Sequence, residues 1–289
     1  AVLGKVFWTD ALAALVPGDP QTLDDRLHGL ERREFVRRER RSAVEGARQY
    51  VFVHALVRDA AYAQMTRAER SRRHRAAAEW LATLSPDRAQ DRAEMLVHHL
   101  LQAIELGEAA GLDVDDLRPA AVEALVDAGS RSWVLASPDA SARFYRHAIE
   151  VTGGAEPDPK LLYLQGRAVA WNASAEAAPL LERAVEMLLA RGDRMTAALA
   201  LVDLHQGRWV RGEDVDPATL RQALDLVGDA PESIEKARVL AAVGRFYGLT
   251  GRSSEALELD ADALATARRL GDRELEGWVL NNRGVARCN

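Results

Sequence analysis

From Asp116 onward the chain repeats, and that repetition constrains its fold more than any other feature. A small residue followed by an aromatic or large apolar one, then an alanine-rich stretch, returns at Gly129, Gly166, Leu204, Gly244 and Gly284, at intervals of 37, 38, 40 and 40 residues. The unit is a helical hairpin, somewhat longer than the tetratricopeptide unit of about 34 residues. Such hairpins bury their apolar faces only against neighbouring hairpins, so the expected architecture is an α-α superhelix over residues 116–289. The small residues let paired helices approach, and Leu204 in the third place predicts a looser pair. Gly192 with Asp193 and Gly271 with Asp272 read as recurring helix stops. The last unit stops at Asn289 inside its first helix. Either further chain follows, or Trp278, Leu280 and nearby residues are covered by a second molecule, which would make self-association a property of this end.

Residues 1–84 obey other rules. Ala1 to Phe7 reads as the tail of a helix, Thr9 as the N-cap of a short helix over Asp10 to Val16 that stops at Pro17 and Gly18. Asp19 and Pro20 open the next helix, with Leu23, Leu27 and Leu30 on its buried stripe. Phe35 and Val36 enter an extended piece, Arg40 to Gln49 turns at Gly46, and Tyr50 to Val53 returns as a β-branched and aromatic strand. Three helices and a two-stranded wing are a winged-helix order. A helix over Ala55 to Met65 follows, then a capping box from Thr66 to Glu69 and a helix with Ala77, Trp80, Leu81 and Leu84 on one face. Arg67, Arg70, Arg72, Arg73 and Arg75 crowd the first half of that helix, where the dipole disfavours cations, so they answer to acidic neighbours or a partner. Ser85, Pro86 and Asp87 break it. Arg88 to Leu106 is a further helix, with Met95, Leu96, Leu100 and Ile104 at helical spacing, inside a connecting segment 85–115. The fold class is therefore mainly all-α: a small winged-helix unit at 1–84, the connector at 85–115, and a tetratricopeptide-like superhelix at 116–289.

The stretch FVHALVRDAAYAQMTRAERSRRHRAAAEWL, with AVLGKVFWTDALAALV and LERREFVRRERRSAVEG before it, resembles the region closing the winged helix in bacterial STAND-type signalling ATPases. These include the ones attached to nucleotide cyclases and to transcriptional activators of the maltose-regulon type. The resemblance covers essentially the whole chain and is most specific from Val2 to Leu101. It implies a fragment whose ATPase core lies upstream, so that ATP is expected only in that domain and no cofactor in this one. It also implies a bacterial setting, while a single cysteine and the lack of a visible membrane span or signal peptide read as cytoplasmic.

Chemistry is sparse. Gly4-Lys5 is followed by Val6, not by the Ser or Thr that a phosphate-binding loop needs. There is no nucleophile elbow, and Cys288 has no catalytic signature. His98 and His99 invite a metal, but neighbours on a helix point about 100° apart and no HExxH or Cys pair accompanies them. His74 sits among arginines. Neither catalytic nor metal-ligating residues are therefore expected. No apolar run is long enough for a membrane span. Residues 1–84 carry +4 and residues 85–289 carry −10 of the net −6. A charge of +4 is weak for a nucleic-acid domain, so DNA binding through the Asp19 helix and Arg37, Arg38, Arg40 and Arg41 is the alternative reading. The main reading is a regulatory fragment that binds a protein or peptide, or another domain of the same chain. Its groove candidates are Arg167, His205, Arg208, Arg238, Arg245 and Asn281, a basic set suited to an acidic segment or a terminal carboxylate.

Overall fold

The computed structural model describes residues 1–16, 18–44, 46–84, 89–154 and 156–288. Pro17 and Ser85 to Arg88, and with them the breaks and the helix start expected there, lie outside the described residues. The chain divides into two compact units, Ala1–Ala128 and Gly129–Asn289. No described helix is long and apolar enough to cross a membrane.

In the first unit, β1 (Val6–Trp8), α1 (Thr9–Leu15), α2 (Pro20–Arg32), β2 (Val36–Arg38) and β3 (Gln49–Phe52) precede α3 (Ala55–Ala63), α4 (Arg67–Thr83) and α5 (Ala89–Glu108). The three strands form one antiparallel sheet of order β1-β3-β2, with Val6 opposite Val51 and Arg37 opposite Val51 on its other edge. This corrects two expectations: Ala1 to Phe7 does not end a helix, and the sheet has three strands instead of two. Val6, Phe7 and Trp8 are β-formers, and β3 offers them a partner edge on which Phe7 lies 5.8 Å from Tyr50, ring to ring. Trp8, not Thr9, occupies the cap position of α1; Thr9 Oγ1 accepts from the Arg48 N–H at 3.2 Å. Asp19 caps α2, accepting from the Thr22 N–H at 2.9 Å. Of that helix's leucines Leu27 is buried and Leu23 packs on the core, whereas Leu30 is 38% exposed, off the expected stripe.

Helix α4 closes this core. Ala77, Trp80 and Leu81 are buried on it, and Trp80 stacks on Trp8 at 5.7 Å. Half of the capping box forms: Thr66 Oγ1 accepts from the Glu69 N–H at 3.2 Å, while the Glu69 carboxylate pairs with Arg73 at 2.5 Å one turn on. Four of the five α4 arginines have partners among the described residues, Arg72 on the Ala68 carbonyl at 3.2 Å and Arg73 on Glu69 among them. Arg70 donates to the Tyr62 and Ala63 carbonyls, both at 3.1 Å, satisfying the open end of α3, and Arg75 grips Asp116 with both Nη atoms at 2.6 and 2.9 Å. Leu100 and Ile104 of α5 are buried, as the spacing predicts. His74 departs from its reading as a residue among arginines. It is 2% exposed because its position on α4 faces α5, one turn beyond Ser71, whose hydroxyl donates to the Ala103 carbonyl at 2.7 Å.

In the second unit, α6 (Arg118–Val134), which begins in the first, pairs with α7 (Pro138–Thr152). Then α8 (Pro159–Trp171) pairs with α9 (Ala177–Ala190), α10 (Arg194–Val210) with α11 (Pro217–Val227) and α12 (Ile234–Leu249) with α13 (Ser253–Leu270), before α14 (Arg273–Cys288). First helices also pack on first helices, α8 on α10, α10 on α12 and α12 on α14, as a stacked array requires. Three of the four aligned glycines share one setting. A Cβ would come within 2.7 Å of the Tyr145 ring at Gly129, 2.8 Å of Leu181 at Gly166 and 2.6 Å of the Asp260 carboxylate at Gly244. Each contact is to the second helix of the same hairpin. Gly284 differs: no described residue lies within 4 Å of a Cβ there. Both Gly-Asp stops do two jobs: Gly192 and Gly271 turn left-handed at φ 75° and 76°, and Asp193 and Asp272 cap the next helix through Thr196 and Leu275. On α14, Val279 is buried and Trp278 packs against the core of α12 and α13, while Leu280 is 47% exposed.

Candidate functional site

Short turns reverse the chain at every step of the second unit, so successive first helices run the same way and their C-terminal ends fall on one edge. Apolar side chains lie uncovered at those ends: Val134 at 82% exposure ending α6 and Leu135 at 58% just after it, Trp171 at 69% ending α8, Val210 at 51% ending α10. Trp209 and Leu249 extend the row. Scattered single apolar residues are ordinary on a surface, but a row recurring once per hairpin is not.

Arg167 anchors one end of this row. Its guanidinium lies 4.5 Å from the centre of the Trp133 ring and 5.6 Å from that of Tyr163, one helical turn back on α8. Trp133 in turn meets Trp171 edge to face at 5.5 Å. Asp203 of α10 completes the group. Burial pushes its carboxyl up to about 6, against the Arg167 charge and a Tyr163 hydrogen bond that both hold it down. Burial likewise raises the Tyr163 phenol, with the Asp203 charge adding to the effect. The buried Nε of Arg167 has no hydrogen-bond partner among the described residues. A half-buried cation held against aromatic rings is suited to an anionic group presented on an apolar segment.

The other groove candidates scatter. His205 is 4% exposed, with its ring 4.6 Å from Phe246, so it is a packing residue and not part of an accessible groove. Adjacent first helices close over it. Arg208 is paired with Glu182, and Arg238 reaches Asp272 at 3.4 Å. Arg245 and Asn281 are exposed on α12 and α14. It is Asn282, the next residue, that is buried, donating to the Ala241 carbonyl at 2.9 Å. Sequence reasoning missed Trp133, Tyr163, Trp171 and Asp203. A signal for the row was present, since Trp133, Trp171, Trp209 and Leu249 follow the aligned small position by four or five residues in successive hairpins.

No protein-family model and no curated protein matches the chain. Among solved structures it is similar to a Signal Transduction ATPase with Numerous Domains (STAND) protein with a tetratricopeptide repeat sensor from Pyrococcus horikoshii. The two are 11% identical, with 96% of this chain and 50% of that one covered and a TM-score of 0.44. It is also similar to the TPR2AB domain of yeast Sti1 from its complex with pHSP90, 13% identical, with 79% and 95% covered and a TM-score of 0.22. The chain thus spans about half the length of the STAND protein. At these TM-scores neither likeness adds weight to what the helical hairpins themselves display.

Proposed function

We propose that the chain is a non-catalytic interaction and relay fragment of a larger signalling ATPase. Its tetratricopeptide-like array takes up a protein or peptide segment along the edge formed by the ends of the first helices. Its N-terminal unit, a winged helix in this reading, passes that state to a nucleotide switch encoded outside these residues. The observation that carries the binding role is the row of Val134, Leu135, Trp171, Trp209 and Val210 with Arg167 at one end. The strand-helix-helix-strand-strand order of β1 to β3 supports the winged-helix reading. The ATPase link rests on the sequence resemblance described above.

A matched peptide set, varying apolar content and the presence of a terminal carboxylate, tests the role by calorimetric titration into the whole chain. Apolar peptides bearing a carboxylate should bind best. Trp171→Ala, at an exposed position, should weaken them roughly 30-fold, the effect of losing an aromatic hot spot of about 2 kcal/mol. Equal affinity in that variant, or no binding across the set, removes the reading, and ATP turnover by this chain alone would contradict its non-catalytic part.

A second reading has its own observation. Arg37, Arg38, Arg40 and Arg41 are all exposed around one open hollow on the β2–β3 hairpin, and of these four only Arg37 is ion-paired among the described residues, with Glu39. Such a cluster suits phosphate contacts, and duplex DNA bound with a steep salt dependence that shrinks in Arg40→Ala would favour it.

A further inference from the structure

Three imidazoles from two helices converge in the first unit. His74 of α4 and His99 of α5 are each 2% exposed, and their Nδ1 atoms face each other at 2.8 Å. His98, exposed beside them, brings its ring to 5.7 Å from that of His74 and 5.2 Å from that of His99. One ring nitrogen from each of the three lies within 4.8 Å of the others. The roughly 100° between neighbours on a helix does not keep His98 and His99 apart, because His74 enters from another helix and both rings lean towards it. Tyr62 of α3 closes the far side, its hydroxyl 3.0 Å from His74 Nε2. The near side opens through a hollow lined by Leu3, Gly4, Glu94, Met95 and the two α5 histidines.

We propose that His74, His98 and His99 bind one borderline divalent cation, Zn²⁺ by the chemistry of the set, with Tyr62 positioning His74 and a water in the hollow completing a four-coordinate site. Imidazole favours Zn²⁺, Cu²⁺ or Ni²⁺ over the oxygen-seeking Mg²⁺ and Ca²⁺, and three histidines with one open position are an established zinc arrangement. The geometry needs little adjustment. Nitrogens on a tetrahedral ion with bonds of about 2.0–2.1 Å stand roughly 3.3 Å apart. The His74–His99 pair must therefore open by about half an ångström and His98 swing inward, which an exposed side chain can do. His74 then carries its proton on Nε2 and donates it to the Tyr62 oxygen, so that Nδ1 presents its lone pair to the ion.

Arg70 is the charge that opposes a cation beside His74. It is held off by its bonds to the Tyr62 and Ala63 carbonyls and by the Tyr62 ring, 4.4 Å from its guanidinium, and Glu94 in the hollow and Glu105 near Tyr62 offset it. An ion here would staple α4 to α5. The site stands independently of the peptide edge.

The test is titration of the untagged, chelator-stripped whole chain with Zn²⁺ and, as a spectroscopic probe, Co²⁺. The expected result is one equivalent bound, visible bands of four-coordinate Co²⁺, and no competition from excess Mg²⁺. His98→Ala, at an exposed position, should leave metal-free unfolding unchanged and weaken binding well beyond ~10-fold, the lower bound for losing even an outer-sphere partner. Tyr62→Phe should weaken it by about 10- to 100-fold, and His147→Ala on α7 not at all. Absence of saturable binding at one equivalent, or wild-type affinity in His98→Ala, overturns the site. Because His98→Ala removes no buried group, its outcome is decisive whether or not buried variants at His74 or His99 fold.

Discussion

The two units solve the same problem, burying apolar surface on helices, in opposite ways. In the first, each decisive contact occurs once: Trp8 on Trp80, Phe7 on Tyr50, the histidines of α4 and α5. In the second, one contact is made again and again, small residue against second helix, at Gly129 with Tyr145, Gly166 with Leu181 and Gly244 with Asp260. Repetition gives each position a set of internal counterparts, so an exception stands out. Asp260 is such an exception. Where the other hairpins place a tyrosine or leucine, it buries a carboxylate with neither oxygen hydrogen-bonded among the described residues. A position in the first unit has no counterpart against which to notice such a departure.

The comparison can be broken most forcefully at Trp80. Truncation to alanine removes half of the only Trp–Trp stack in the described core, and the expected cost is about 3–5 kcal/mol, read by denaturant unfolding followed through amide exchange in α4 and α5. A loss below about 1 kcal/mol would mean the contact is not decisive. In the array, Gly129→Ala pushes a Cβ against a fully buried ring, and an overpacking cost of about 1–3 kcal/mol should outweigh the helix-propensity gain of up to about 1 kcal/mol. Gly284→Ala, facing open space, should keep that gain. Thermal melts giving both substitutions the same sign would show that the aligned glycines are not used as described.

Acid sharpens the contrast further. The folded-state values of His74 and His99, about 3 and 4, lie below the unfolded value near 6.5, so the unfolded chain binds more protons and metal-free α4 and α5 lose stability as pH falls below about 6.5. Asp203 and Asp260, raised by burial to about 6 from the ordinary 3.8, have the reverse sign: protonation below pH 6 relieves them, and their helices gain stability down to about pH 4. Each group contributes at most about 1.4 kcal/mol per pH unit. Segment-resolved protection factors should thus move in opposite directions, and Asp260→Leu should be more stable than wild type at about pH 7 while losing part of the pH response of α13. Parallel movement in both units would count against these burial assignments.

The array was legible because its signal is summed over several hairpins, so that even the substitution at Leu204 did not hide the period. The Gly-Asp stops were legible for the same reason. Single contacts were not. Val6, Phe7 and Trp8 make a strand too short to show a period, and only the edge of β3 distinguishes it from the end of a helix. His74 stands among arginines along the chain, yet on a helix its neighbours in space are the residues three and four positions away and whatever packs on that face. Arg167 was singled out for its charge, but the rings that hold it, Trp133 and Tyr163, come from two helices.

Hydrophobic order, small residues at a regular interval and cap residues at helix ends determined by themselves that this chain forms stacked helical hairpins, because those preferences are local or repeated. Only the tertiary structure decided that His74 meets His98 and His99, that His205 is covered, and that apolar helix ends line up on one edge. Each of these depends on which faces of separate helices come together, a relation set by packing that no stretch of residues carries alone.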